Sequence, residues 1–202
     1  MLDQSLRKTK EVLLEPLVRG PLSRIRPNLV TRAAFVVGLL SAGLASQGAY
    51  SWALGAWLVN RVLDGLDGTL ARVTGQQSDW GGYQDIVLDH ILYAALPLAV
   101  AFADGRREAF LACSVLQAAY FVNTISWCYL AALLEKLQFG ASASSEMTSV
   151  TMPAALIEGT ETVVFFSAFL LFPSWICSLF FVKALLVCVG VVQRWRFAQR
   201  TL

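Results

Sequence analysis

Four aspartates, Asp64, Asp67, Asp85 and Asp89, fall within the stretch LDGLDGTLARVTGQQSDWGGYQDIVLD, inside segments that otherwise read as lipid-embedded. A charged side chain at the centre of a membrane helix costs roughly 2.5 to 3.5 kcal/mol on insertion scales, so four unneutralised acids would cost about 10 kcal/mol. Cationic partners are therefore required. Helix positions three and four apart share a face, which aligns Asp64 with Asp67 and Asp85 with Asp89. The eight residues from Val73 to Trp80 suffice to turn the chain, predicting two antiparallel neighbouring helices whose acid faces meet. Clustered carboxylates suit hard divalent ions, and magnesium is commonly completed by waters and substrate phosphates. Two such ions would balance the four acids. Gly65, Gly68, Gly81 and Gly82 present no side chain to an approaching diphosphate, and Arg72, one turn beyond Gly68, offers a planar fork for phosphate.

The elements that must position these groups are membrane helices. The 202-residue chain is 56% hydrophobic and only 15% charged, against about 25% charged in a soluble domain. Six segments are long enough to span a hydrocarbon core, near 29–49, 51–72, 82–103, 109–134, 150–172 and 174–194. The predicted fold is thus an all-α integral membrane protein with six transmembrane helices. It divides into a juxtamembrane segment, 1–28, and a transmembrane catalytic domain, 29–202. The first segment mixes Leu6, Leu13, Leu14 and Leu17 with Arg7, Lys8, Lys10 and Arg19, the pattern of an amphipathic helix lying on the membrane interface. No signal-peptide cleavage pattern precedes the first span. The basic N-terminal residues and Arg194, Arg196 and Arg200 place both ends in the cytoplasm by the positive-inside rule, with Arg106 and Arg107 as the exception. The serine- and alanine-rich stretch 137–148 reads as a mobile connection.

Other chemistries fit less well. Net charge is +2 and the basic residues lie mostly at the ends, so no nucleic-acid partner is expected. Cys113, Cys128, Cys177 and Cys188 show no metal-binding spacing and read as apolar fillers. Ion pairs of the aspartates with Arg61, Arg72 and Arg32 are the plain structural alternative, but so few arginines do not neutralise four acids. A cation- or proton-coupled transporter would also place acids in the membrane, yet here they gather near one face. Glu158 and Glu161 form a second acid pair that either bonds to Lys183 or Arg61 or shapes an acceptor pocket with them. His90 points about 100° away from Asp89 and reads as a packing residue. Asn60 and Arg61 can line the cleft, and Asn123 and Thr124 suit interhelical hydrogen bonds. Several of the six tryptophans fall at predicted span ends, where an aromatic belt is expected, and none is read as a binding residue.

The spacing D-x2-D-G-x2-A-R-x8-G-x3-D-x3-D, filled by Asp64, Asp67, Gly68, Ala71, Arg72, Gly81, Asp85 and Asp89, resembles the signature of the CDP-alcohol phosphotransferases, membrane enzymes of phospholipid biosynthesis. The resemblance implies a transferase that moves a substituted phosphate from a CDP-alcohol to a second alcohol and releases CMP, using two Mg2+ or Mn2+ ions. It implies that Asp64, Asp67 and Asp85 are metal ligands, and that Asp89 ligates the second ion and acts as general base. Asn28, Thr31, Gly68, Ala71, Arg72, Ser78 and Gly81 become the expected CDP-alcohol contacts. A homodimer in the inner membrane, with its active site facing the cytoplasm, is implied as well. Chain length resembles the users of CDP-diacylglycerol. The acceptor stays open: a phosphorylated polyol such as glycerol phosphate or inositol phosphate would need basic groups such as Arg61 and Lys183, which the pair Glu158 and Glu161 would oppose.

Overall fold

The computed structural model describes Val18, Gly20 and residues 24–137 and 159–202. The predicted interfacial helix, the connection after Leu137 and Glu158 lie outside these residues, apart from Val18 and Gly20. Six α-helices make up the described chain: α1 (Pro27–Ser46), α2 (Tyr50–Val73), α3 (Asp79–Asp104), α4 (Arg107–Lys136), α5 (Gly159–Leu171) and α6 (Ile176–Thr201), with a 3-10 turn at Pro173–Trp175. There is no strand among the described residues, so the all-α expectation stands.

The helix limits follow local chemistry. Pro27 opens α1, where its missing N–H costs nothing. Ser78 caps α3, its hydroxyl accepting the Gly81 N–H at 3.1 Å. Gly105 ends α3 in the left-handed conformation, φ 73°.

Among the described residues, four segments are long and apolar enough to cross a membrane: Pro27–Ser46, Asp79–Asp104, Arg107–Lys136 and Pro173–Thr201. This is a multi-pass membrane protein. α2 has the length but carries Arg61, Asp64, Asp67 and Arg72, and α5 shows 13 described residues. The functional charge that drew attention to α2 is the reason composition alone does not mark it as a span.

The chain divides into two compact units, one of Met1–Gly105 with Phe166–Ser174, the other of Arg106–Phe165 with Trp175–Leu202. In the first, α1 packs closely against both α2 and α3. Side chains of α2 and α3 meet, with Arg61 2.8 Å from Asp89, and α1 is the common backing on which both acid-bearing helices rest. Two features bring them onto it. Gly38 on α1 has no room for a side chain, since a Cβ there would run into Leu92 of α3 and the Asn60 amide of α2. The Ser41 hydroxyl donates to the Ala53 carbonyl at 2.7 Å. Beneath them Val18, Val30 and Leu70 form a buried apolar cluster with Ile25, Leu63, Leu66 and Val73 packed around it. Leu63, Leu66 and Leu70 interleave with the aspartates along α2, so one helix supplies an apolar face to α1 and an acidic one to the site.

In the second unit α4 packs against α6. Arg194 donates to Asn123 Oδ1 at 2.6 Å across that interface, as expected of Asn123.

Candidate active site

Three of the four aspartates, Asp64, Asp85 and Asp89, line a single cavity together with Thr31, Ala34, Phe35 and Asn60. Its volume is about 10 Å³, room for about one water-sized group. The fourth, Asp67, is buried at 6% exposure. The Thr31 side chain and the Gly68 backbone N–H face its carboxylate, and the charges of Asp64 and Asp89 act on it. Thr31 therefore touches both the cavity and the fourth acid. The helical arithmetic was right about faces, and α1 contributes the wall that joins them.

Asp89 is held by two side chains, Arg61 and Tyr93. Arg61 Nη2 donates to its Oδ1 at 2.8 Å and Nη1 to its Oδ2 at 3.4 Å, and the Tyr93 hydroxyl donates to Oδ2 at 3.0 Å. Nη1 also lies 3.6 Å from Asp64 Oδ2. The ion-pair alternative is thus realised for Arg61. It accounts for one cation against four acids.

The donor chemistry fits divalent ions. Every candidate ligand is an oxygen, as hard cations prefer. Asp67 Oδ2 is buried without a hydrogen-bond partner, an arrangement that costs about 1 to 3 kcal/mol unless something cationic or donating completes it. As the side chains stand, no three His, Cys, Asp or Glu among the described residues form a closed ligand set; Asp64 and Asp89 are turned onto Arg61 instead.

The expected nucleotide contacts also group together. Arg72 lies back over Gly68, its Nη1 3.2 Å from the point a Cβ on residue 68 would occupy. Asn28 Oδ1 and Ser78 Oγ stand 3.1 and 3.2 Å from the corresponding point on Gly81. Three residues from the start of α1, the turn before α3 and the first turn of α3 thus meet at one place. Ala71 is half-buried on α2 one position before Arg72.

The residues named for an acceptor pocket are divided. Arg61 belongs to the acid cluster. Lys183 and Glu161 belong to the second unit, where Lys183 is fully buried, donates to the Thr162 hydroxyl at 3.0 Å and lies 5.0 Å from the Phe165 ring. Glu158 lies outside the described residues. His90, as anticipated, turns away: its Nδ1 donates to the Ile86 carbonyl at 2.7 Å.

Tyr93, Trp57 and Asn60 are the contributors that the sequence reading missed or undervalued. Trp57, to which no binding role is given from sequence, is 1% exposed, with Arg61 4.6 Å from its ring centroid. Asn60 bridges α1 and Arg61, donating to the Ala34 carbonyl at 2.7 Å and accepting from Arg61 Nε at 2.7 Å. The signal was present in the spacing. Tyr93 follows Asp89 by four positions, and Trp57 precedes Arg61 by four.

Comparison with known proteins agrees with this site. The family model for CDP-alcohol phosphatidyltransferase matches residues 24–195, the whole of the acid cluster included. The chain is 36% identical over 176 residues to the inner membrane protein YnjF of Escherichia coli, covering 87% of this chain and 84% of that one. It is 36% identical over 78 residues to a CDP-diacylglycerol–serine O-phosphatidyltransferase of Helicobacter pylori, 38% of this chain and 32% of that protein. A phosphatidylinositol phosphate synthase of Cutibacterium acnes is 26% identical over 162 residues, 77% and 76% of the two chains. The transporter alternative falls with these matches: the chain belongs to the CDP-alcohol phosphatidyltransferase family and is an enzyme.

Proposed function

We propose that this enzyme transfers the phosphatidyl group of CDP-diacylglycerol to the hydroxyl of a second alcohol, with release of CMP, at the cytoplasmic face of the inner membrane. The observation that carries the proposal is the cavity shared by Asp64, Asp85 and Asp89, with the orphaned oxygen of Asp67 buried alongside.

In this account Asp64, Asp67, Asp85 and Asp89 hold two Mg2+ or Mn2+ ions. When bound, such ions neutralise the diphosphate and stabilise charge on the attacking and leaving oxygens. The chain supplies the remainder. Arg72, folded over Gly68, swings its planar fork to a phosphate. Asn28, Thr31, Ser78 and Gly81 form the wall against which the CDP moiety lies, and Ala71 keeps the adjoining helix face small. The acceptor oxygen forms a bond to the β-phosphorus as the bond from that phosphorus to the CMP oxygen breaks. The departing electron pair leaves with CMP, and the acceptor proton passes to Asp89.

The donor assignment is supported by the Helicobacter relative, whose name specifies CDP-diacylglycerol. The relatives' names carry different head groups, serine in one and inositol phosphate in the other. Six membrane spans, an interfacial segment over 1–28 and a homodimer belong to the proposal, as does a part in acceptor binding for Glu161 and Lys183 within the second unit. The buried Lys183 and the half-buried Glu161 support it as ionisable groups retained in apolar helices, which in membranes commonly marks function.

Asp89→Asn tests the catalytic assignment. It removes the base and spares most of the ligands, so turnover is lost while CDP-alcohol binding persists. Wild-type turnover in that variant would refute the assignment.

A further inference from the structure

Arg61 is held far more firmly than an ion pair requires. Its fork reaches both Asp89 oxygens at 2.8 and 3.4 Å and approaches Asp64 at 3.6 Å. Its Nε donates to Asn60 Oδ1, and Asn60 in turn is bonded to the Ala34 carbonyl of α1. The guanidinium lies 4.6 Å from the Trp57 ring centroid, a favourable cation–π placement. Trp57 is itself braced by Phe166, ring centroids 5.1 Å apart. The other partner of Asp89 is fixed in the same way: Tyr93 meets Phe166 edge-on at 5.6 Å. One aromatic ring thus backs both groups that grip the aspartate.

We infer that Arg61 and Tyr93 are positioning residues for Asp89, with Arg61 a permanent cation of the acid cluster rather than a stand-in that metal ions displace. A stand-in would be loosely tethered. Arg61 instead has its Nε, its ring face and both terminal nitrogens engaged, and its side chain is only 10% exposed. Its charge also changes the balance of the site. Two divalent ions would bring four acids to neutrality, and Arg61 leaves one positive charge in excess, which suits an anionic diphosphate. The grip on Asp89 sets where its carboxylate stands when the acceptor proton arrives, and misplacement of about 1 Å costs on the order of a hundredfold in rate.

This inference rests on the proposed role of Asp89, and the experiment separates the two. Purified full-length Arg61→Lys, Arg61→Gln, Tyr93→Phe and Asp89→Asn are compared for CMP release, for Mn2+ binding by calorimetry, and for thermal unfolding. Lysine keeps the charge but not the fork. Arg61→Lys is therefore expected to fold, to bind Mn2+ with unchanged stoichiometry, and to lose about tenfold to a hundredfold in kcat with the KM for the CDP-alcohol within about threefold. Tyr93→Phe loses about three- to tenfold in the same parameter, the scale of one modest hydrogen bond. Wild-type kcat in both of these folded variants overturns the inference, as does Arg61→Gln binding Mn2+ more tightly at full kcat, the behaviour of a displaced stand-in. If Asp89→Asn turns over normally, the role of Asp89 has failed and this inference with it. If Asp89→Asn is inactive while the Arg61 and Tyr93 variants run at full rate, only this inference fails.

Discussion

Asn28 and Gly81 stand against each other, with Asn28 Oδ1 3.1 Å from the point where a Cβ on residue 81 would sit. The contact ties the start of α1 to the first turn of α3, and the capping hydroxyl of Ser78 closes the same space from the third side at 3.2 Å. Gly81→Ala has to displace one or both polar groups. Overpacking of this kind costs about 1 to 3 kcal/mol. Because both neighbours are proposed CDP contacts, the expected outcome is a KM for the CDP-alcohol raised about tenfold, the equivalent of 1.4 kcal/mol, with a smaller change in kcat. Steady-state kinetics with varied CDP-alcohol make the check; a variant changed only in kcat would move the CDP contacts elsewhere.

Asp67 presents the opposite case, a group destabilising by itself and useful with a cation. Its Oδ2 is buried and without a hydrogen-bond partner. Asp67→Asn removes the charge that makes this burial costly, so the ion-free protein is expected to melt at the same or a higher temperature than wild type in chelator. Adding Mg2+ should raise the melting temperature of wild type, as a ligand of the folded state does, and should raise that of the variant much less. Equal Mg2+ shifts in the two proteins would remove Asp67 from the ligand set.

Lys183 is a buried ammonium on α6 held by Thr162 and the Phe165 ring. Methionine keeps the length and packing of the lysine, whereas truncation leaves a cavity costing about 2 kcal/mol or more. Lys183→Met should therefore stay folded and Lys183→Ala should melt lower. If Lys183 takes part in acceptor binding, Lys183→Met raises the KM for the acceptor about tenfold, that is 1.4 kcal/mol, while the KM for the CDP-alcohol holds. An unchanged acceptor KM removes Lys183 from that role.

Ser78 caps α3 with its side chain while facing the nucleotide wall. Loss of an N-cap hydroxyl typically costs about 1 kcal/mol. Ser78→Asp keeps the cap but places a charge beside the proposed phosphate path, whereas Ser78→Ala loses the cap and the hydroxyl facing the CDP moiety but adds no charge. The aspartate variant is expected to match wild type in thermal stability and bind CDP-alcohol more weakly than the alanine variant. The reverse order of affinities would place the diphosphate away from Ser78.

Much of this site was legible because helix geometry is a strong constraint. Spacings of three and four put Asp64 with Asp67 and Asp85 with Asp89, and the structure keeps those faces. Helix limits were close wherever Pro27, Ser78 or Gly105 punctuated the chain. What periodicity leaves open is which face meets which partner. It did not disclose that α2 and α3 both rest on α1, because Gly38 and Ser41 look like ordinary small residues until the helices are brought together. It also gave Trp57 no role, although the positions 57, 61 and 64 lie on one helical face and point into the same cluster. Arg61 and Asp89 are 28 residues apart, and a pair formed across two helices leaves no local signature.

The central claim, that these acids serve nucleotide-linked phosphoryl transfer with divalent ions, is tested most directly by CMP release. Purified protein is supplied with CDP-diacylglycerol, a panel of free and phosphorylated head-group alcohols, and either Mg2+ or excess chelator. The account predicts CMP in stoichiometric step with a new phospholipid for at least one alcohol, and none in chelator. Undiminished release with the ions removed would contradict it.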